Sequence, residues 1–242
     1  MNYRRIANIE NRRIVALEKK YTVIVRRALK EQMISYAEKK TIGLAMTEAL
    51  RNLYEKELKY WLEREYKRLK KDTTKANRSD FFLHTWLEWV DEALYDWVGS
   101  RVVGINETTR DIINRIIQEG YDKGLEWDVI ATKITTQAKA ITTFKRARTI
   151  ARTELANTVN YAKMKSSLDF EKETGLLMDK RWVHRGSNDP RDEHLRLDKM
   201  QIHRDDTFTA YGERIDYPHA PGLSAKNVVN CNCQVIYVRR KD

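Results

Sequence analysis

Arg181-Trp182-Val183-His184 opens a stretch that runs through Asp189-Pro190-Arg191-Asp192-Glu193-His194, Asp205-Asp206-Thr207-Phe208 and Tyr217-Pro218. It closes on Asn230-Cys231-Asn232-Cys233. Both cysteines, all three prolines and four of the five histidines fall between residues 181 and 238. Residues 180–184 read as a strand, 187–190 as a turn and 191–198 as a short helix. Residues 205–216 read as a hairpin or loop bent at Gly212. Pro218 and Pro221 stiffen the loop at 217–222, and the alternation over 233–239 predicts a final strand. The C-terminus is therefore a small unit of strands and loops.

Working back from it, Thr142 or Thr143 can cap a long helix that ends before Gly175. Phe144, Ala147, Ile150, Ala151, Leu155, Val159 and Ala162 form its apolar stripe. Arg152 and Glu154 lie beside that stripe, placed either to reach the C-terminal unit or to form an ordinary exposed ion pair. Two short helices joined by a glycine turn are expected around 106–120 and 127–137, the first starting at Asn106. A DNA-reading helix-turn-helix is weakly supported there, because the second helix carries few base-reading side chains. An aromatic helix with Phe81, Trp86, Trp89, Tyr95 and Trp97 precedes them, started by Ser79 or Asp80. Near the N-terminus, Ile14, Leu17, Tyr21, Ile24 and Ala28 alternate spacings of three and four, an a/d seam. The expected fold class is α+β: a helical part over 1–141, then a long helix and a small strand-bearing unit over 142–242.

Composition narrows the function classes. Apolar residues make up 41% and charged residues 33%, which suits a chain with a real core. No apolar run approaches the ~20 residues that span a bilayer, and no secretory leader is read at the N-terminus. An intracellular protein without a membrane partner is expected. The formal net charge is +11, which suits a polyanion partner, DNA first. Arg12-Arg13, Lys19-Lys20 and Arg26-Arg27 flank the first seam and form either a solvated face or a basic rail against DNA.

Cys231 and Cys233 are two apart, so an extended backbone turns both sulfurs to one face. A disulfide between them would close a very small ring. Two thiolates side by side favour a soft cation, zinc above all, and two further ligands are then required. His194 is the first choice, with His184, His203, His219 and Asp192 competing for the fourth place. The alternative is that both cysteines are small core residues. The Asp189, Arg191, Asp192, Glu193, His194 and His203 cluster could imitate a metal hydrolase or nuclease. Yet the chain has no Gly-x-Ser-x-Gly, no His-Glu-x-x-His and no phosphate-binding glycine loop, so the cluster reads as a hydrogen-bonded structural knot.

The ordered series Arg152-Thr153-Glu154, Lys180-Arg181-Trp182-Val183, Asp189-Pro190-Arg191, His194, Leu197-Asp198, Asp205-Asp206-x-Phe208, Tyr217-Pro218 and Asn230-Cys231-x-Cys233 resembles the head morphogenesis domain of Mu F-like minor head proteins. The resemblance covers about residues 145–238. Lys199 stands where that family usually carries a glycine after Leu-Asp. The resemblance implies a non-enzymatic minor capsid protein of a tailed phage or prophage, with Arg152, Glu154, Trp182, Asp189, Arg191, His194, Asp198, Asp206, Phe208, Pro218 and Asn230 as its structural motif. It implies assembly in the host cytoplasm, a place inside the head near the portal, and the portal, scaffold or major capsid protein as partners. Double-stranded DNA, bound without sequence preference, would lie close by. Two other readings stay open: a metal-dependent nuclease or toxin-like effector using His194, Asp192, Cys231 and Cys233, and a plain DNA-binding protein.

Overall fold

The computed structural model describes residues 3–39, 44–71, 82–93, 99–186 and 190–240. The fold is α+β. Helices α1 (Tyr3–Lys39), α2 (Ala45–Lys71), α3 (Phe82–Ala93), α4 (Gly99–Asp122), α5 (Trp127–Ile141) and α6 (Phe144–Thr174) come first. Strand β1 (Met178–Val183), helix α7 (Asp192–Arg196), strands β2 (Gln201–His203), β3 (Phe208–Ala210) and β4 (Glu213–Ile215), helix α8 (Ala225–Val228) and strand β5 (Gln234–Arg239) follow.

The seam of α1 forms as its spacing dictates. Ile14, Leu17, Tyr21 and Ala28 are buried, with Val25 filling the place expected of half-buried Ile24. These residues meet Leu50, Leu53, Tyr54, Leu58, Trp61 and Leu62 of α2, and Ala147, Ala151, Leu155, Val159 and Ala162 of α6, in one apolar cluster. The same cluster takes in Trp182, Phe208, Tyr217, Cys231, Cys233 and Tyr237. Core therefore runs through the 141/142 point at which the sequence suggests two parts. Two buried polar joints reinforce this packing. Lys163 Nζ donates to Glu10 Oε2 at 2.6 Å and to Gln234 Oε1 at 3.2 Å, joining α6 to α1 and β5. Arg68 grips Glu65 and donates to the Tyr237 carbonyl at 2.7 Å, joining α2 to β5.

Helix α6 begins at Thr143, whose hydroxyl accepts from Arg146 N, and ends at Gly175 in the left-handed conformation. The three-stranded antiparallel sheet has the order β2-β1-β5, and β3 pairs with β4 as a separate hairpin. Only Tyr211 and Gly212 separate the paired residues Ala210 and Glu213. Both have positive φ, 51° and 76°, the backbone that a two-residue hairpin needs.

Several sequence expectations are corrected. Helix α4 does not start at Asn106; it starts at Gly99 and runs through Gly104. A single exposed glycine costs a helix only about 1 kcal/mol, and buried Val102, Ile113 and Ile116 outweigh it. Gly120 does not stop α4 either. It lets α5 approach: an added Cβ would lie 2.6 Å from Ile130 Cγ1. The turn falls at Gly124, with φ 65°. Strand β2 and helix α8 have no counterpart in the sequence expectations; they are three and four residues long, too short to show a period. Ser79, Asp80, Phe81, Tyr95, Trp97 and Asp189 lie outside the described residues.

Lys199 gives a direct test of local strain. Its φ is 70°, and its N–H donates to the Trp182 carbonyl at 2.9 Å. A lysine in this conformation is held against its preference by the turn between α7 and β2. Lys199→Gly removes the Cβ penalty and loses some to greater freedom in the unfolded chain. We expect a net gain of about 0.5–1 kcal/mol, a rise of about 2 °C in a thermal melt. A fall in melting temperature would show that the lysine side chain contributes more than its backbone strain.

Candidate functional site

Six of the predicted motif residues, Arg152, Trp182, Arg191, His194, Phe208 and Asn230, lie around the junction of α6 with the C-terminal unit. Arg152, on α6, donates from Nη1 to Asn230 Oδ1 at 2.8 Å and grips Glu18 of α1 through Nε and Nη2 at 3.0 and 2.9 Å. Thr153 Oγ1 accepts from Asn230 N at 3.1 Å. Asn230 has φ 59°, a conformation that Asn tolerates better than most residues, and this turn delivers Cys231 inward. Burial would raise the Glu18 pKa, but hydrogen bonds and charge from Arg152 and Arg148 outweigh it and hold the carboxyl below its usual value. Glu154 points the other way, accepting from Tyr54 Oη at 2.5 Å, and so belongs to the joint between α2 and α6.

Beyond Asn230 the chain forms a closed pocket of side chains. Trp182, fully buried in β1, meets His194 edge-on at 5.4 Å between ring centres and Phe208 at 5.1 Å. His194 stands on α7, whose entry is held by Arg191 donating to the Val229 carbonyl at 2.5 Å. His194 Nδ1 lies 3.4 Å from Cys231 Sγ and 3.8 Å from Cys233 Sγ. On its other edge, Nε2 lies 2.9 Å from Asn227 Oδ1. Asn227 is itself fixed, its amide nitrogen donating to the Ala210 carbonyl at 3.2 Å and to Glu213 Oε2 at 2.9 Å. Cys233 N donates to Cys231 Sγ at 3.3 Å. All three of His194, Cys231 and Cys233 are buried, at 2%, 2% and 1% exposure.

The electrostatics follow from these contacts. Hydrogen bonds from Cys233 and His194 hold the Cys231 thiol well below its usual range, against burial. Cys233 is pushed well up, by its hydrogen bond to Cys231 and by burial. Burial pulls His194 down, but Cys231 outweighs it and raises the imidazole.

The remaining candidates divide cleanly. Asp198 Oδ1 accepts from His184 N at 2.8 Å and closes the loop after β1. Pro218 is buried, and Asp206 sits exposed in the turn between β2 and β3. Asp192 is exposed on α7, His184 Nδ1 accepts from Gly186 N, and His203 lies near Asp205; none joins the His194 group. His219 also lies outside that group; it is fully buried, with Nε2 3.1 Å from the Cys231 carbonyl, and Nδ1 has no hydrogen-bond partner. Of the basic rail, Arg12, Lys19, Lys20, Arg26 and Arg27 are exposed. Arg13 is stacked 3.4 Å over Tyr60 and bonded to Glu57, and Arg26 donates from Nε to the Thr142 carbonyl at 2.9 Å. Arg26 and Arg27 line an open groove of about 820 Å³ with Val23, Ile34 and Thr135. Asn227, Glu18 and His219 are the residues that sequence reasoning missed or left undecided; none carries a periodic signal.

Comparison with known proteins covers the motif series and extends N-terminal of it into α4. The profile of the family described as Phage Mu protein F like protein matches residues 111–236. The NAD(+)--arginine ADP-ribosyltransferase EFV of Enterococcus faecalis is 30% identical over 133 residues, 55% of this chain and 26% of that protein. The uncharacterized protein YqbB of Bacillus subtilis is 34% identical over 93 residues, 37% of this chain and 29% of that protein. The chain thus spans under a third of the length of these curated relatives. No solved structure matches it.

Proposed function

We propose, from the premise that this chain belongs to the Phage Mu protein F like family, that it is a minor head protein that joins the procapsid at the portal. Head morphogenesis is the family's business; the portal contact and the nearness to DNA are our reading. The observation that supports it is the grouping of Arg152, Trp182, Arg191, His194, Phe208 and Asn230 around one buried pocket. Arg152 bonds Asn230, Trp182 packs on His194, and His194 and both cysteines are buried together. A side chain at 2% exposure cannot meet a macromolecular substrate, whereas a rigid knob can dock. No described helix is long and apolar enough to cross a membrane. We place the chain in the host cytoplasm during assembly and inside the head afterwards.

The test is assembly of procapsids from the cognate capsid, scaffold and portal proteins with and without portal, in the presence of the full chain. The full chain is required because its C-terminal unit shares a core with α1 and α2. Incorporation in a few copies, lost when portal is omitted, is expected. Exclusion of the chain from portal-containing procapsids would overturn the reading.

The rail of α1 supports a DNA-facing side. If Arg12, Lys19, Lys20, Arg26 and Arg27 each neutralise one phosphate, log affinity falls with log salt at a slope of about −4.5. Affinity for a random duplex would then drop roughly 10²–10³-fold between ~50 and ~200 mM salt. Replacing Lys19 and Lys20 with glutamate should flatten that slope by about 2. A binding curve insensitive to salt would remove DNA from the picture. The effector reading, made on His194, Asp192, Cys231 and Cys233, has an ADP-ribosyltransferase among the chain's relatives, and that protein shares only 26% of its length with this chain. It predicts NAD consumption or nuclease turnover by the full chain; we expect neither.

A further inference from the structure

We propose that His194, Cys231 and Cys233 form a structural zinc site, and that buried His219, which lies outside their 4.8 Å group, turns in as the fourth ligand when the ion binds. The proposal is independent of any portal or DNA contact. It starts from which atoms face one another. Asn227 donates its amide nitrogen to the Ala210 carbonyl and Glu213, so its Oδ1 faces His194 as an acceptor. His194 Nε2 must therefore carry the hydrogen, and Nδ1 turns a lone pair toward both sulfurs. Two sulfurs and an imidazole lone pair pointing at one buried spot need a positive charge between them, either protons or a metal ion.

Distances favour the metal. With Zn–S near 2.3 Å and Zn–N near 2.0 Å, a tetrahedral site has N···S edges of about 3.5 Å. Those found are 3.4 and 3.8 Å, and all three ligating atoms lie within 4.8 Å of one another. The surroundings match as well. Asn227 fixes the His194 tautomer from behind, and Cys233 N donates to the Cys231 sulfur, as supporting groups around a metal do. His219 is buried against Cys231, and its Nδ1 lacks a partner. A buried imidazole nitrogen in that state is costly unless something binds it. Zinc suits this soft sulfur and nitrogen set, and enclosure by protein ligands suits a structural rather than a catalytic ion.

The experiment uses the full chain, purified without chelator. About one zinc per chain is expected. Cobalt exchanged into the site should give a sulfur-to-metal charge-transfer band. Cys231→Ser, Cys233→Ser and His194→Gln should abolish that band, His219→Gln should weaken retention against a competing chelator, and His203→Asn should leave both unchanged. If the cysteine variants fail to fold, a mercurial thiol reagent titrated into wild type supplies the answer, because zinc release should track modification of the two thiols. A folded, reduced wild type holding less than ~0.2 zinc and giving no cobalt band would overturn the proposal in favour of a proton-sharing knot. A Cys231–Cys233 disulfide found by mass in the freshly purified protein would overturn it too.

Discussion

Lys163→Ala is expected to destabilise the protein by about 3–5 kcal/mol and to lower its melting temperature by roughly 10 °C. Lys163 and Glu10 each have side chains only 1% exposed, and 2.6 Å separates Nζ from the carboxylate. Removing the ammonium leaves a carboxylate buried inside the protein without its counter-charge, which costs far more than the intact pair contributes. Glu10→Ala should cost a similar amount by the inverse argument. The double variant Glu10→Leu with Lys163→Met should recover most of the loss, since neither charge is then stranded. Urea and thermal melts of wild type, Glu10→Leu, Lys163→Met and the double variant form the cycle, with the two alanine variants measured alongside. A Lys163→Ala cost below ~1 kcal/mol would mean that water reaches the pair in solution, as it does at surface ion pairs. The location gives the result its meaning. Lys163 also donates to Gln234 of β5, so one ammonium joins α1, α6 and the strand that directly follows the cysteines. Loss of the pair should loosen the knob from the helices that carry it.

That joint also shows where sequence reasoning stops. The apolar half of the fold was readable because it repeats: the α1 seam, the α6 stripe and its Thr143 and Gly175 ends all follow local spacing rules. Glu10 and Glu18 occupy the same face as Ile14, Leu17 and Tyr21, where an acidic residue reads as a fault in the pattern. Their partners, Lys163 and Arg152, lie 153 and 134 residues away. No local rule pairs charges over such distances. The same limit applies at the cysteines. An i, i+2 pair announces itself, and His194 was the first choice for the cluster that now includes it. That His219 is buried beside the Cys231 carbonyl while His184 and His203 are not depends on the course of loops whose backbone turns on single positive-φ residues such as Asn230 and His219. Asn227 gave no signal, yet it decides which nitrogen of His194 faces the sulfurs. Asn106 misled for the opposite reason: its local cap signal was real, and buried residues on both sides of it overrode the signal.

Trp182→Ala should also cost about 3–5 kcal/mol, and its second readout is more specific than its first. The indole is fully buried in β1 and forms one wall of the cysteine pocket, edge-on to both His194 and Phe208. Truncation removes a large apolar area and leaves a void that β1, paired on both edges with β2 and β5, cannot easily collapse to fill. Fraying should concentrate where the wall is lost. Cys231 and Cys233, at 2% and 1% exposure, react with a thiol probe only when the pocket opens. If local opening becomes about 3 kcal/mol easier, their reactivity rises by about 10²-fold at a temperature where helical circular dichroism is unchanged. Trp182→Phe keeps the edge contacts and much of the volume, so it should cost less than half as much and protect the thiols nearly as well. A Trp182→Ala protein that melts early but keeps its thiols protected would show that the indole stabilises the fold at large without sealing this pocket. The knob would then draw its rigidity from the Arg152–Asn230 and His194–Asn227 bonds instead, and those bonds would become the place to cut.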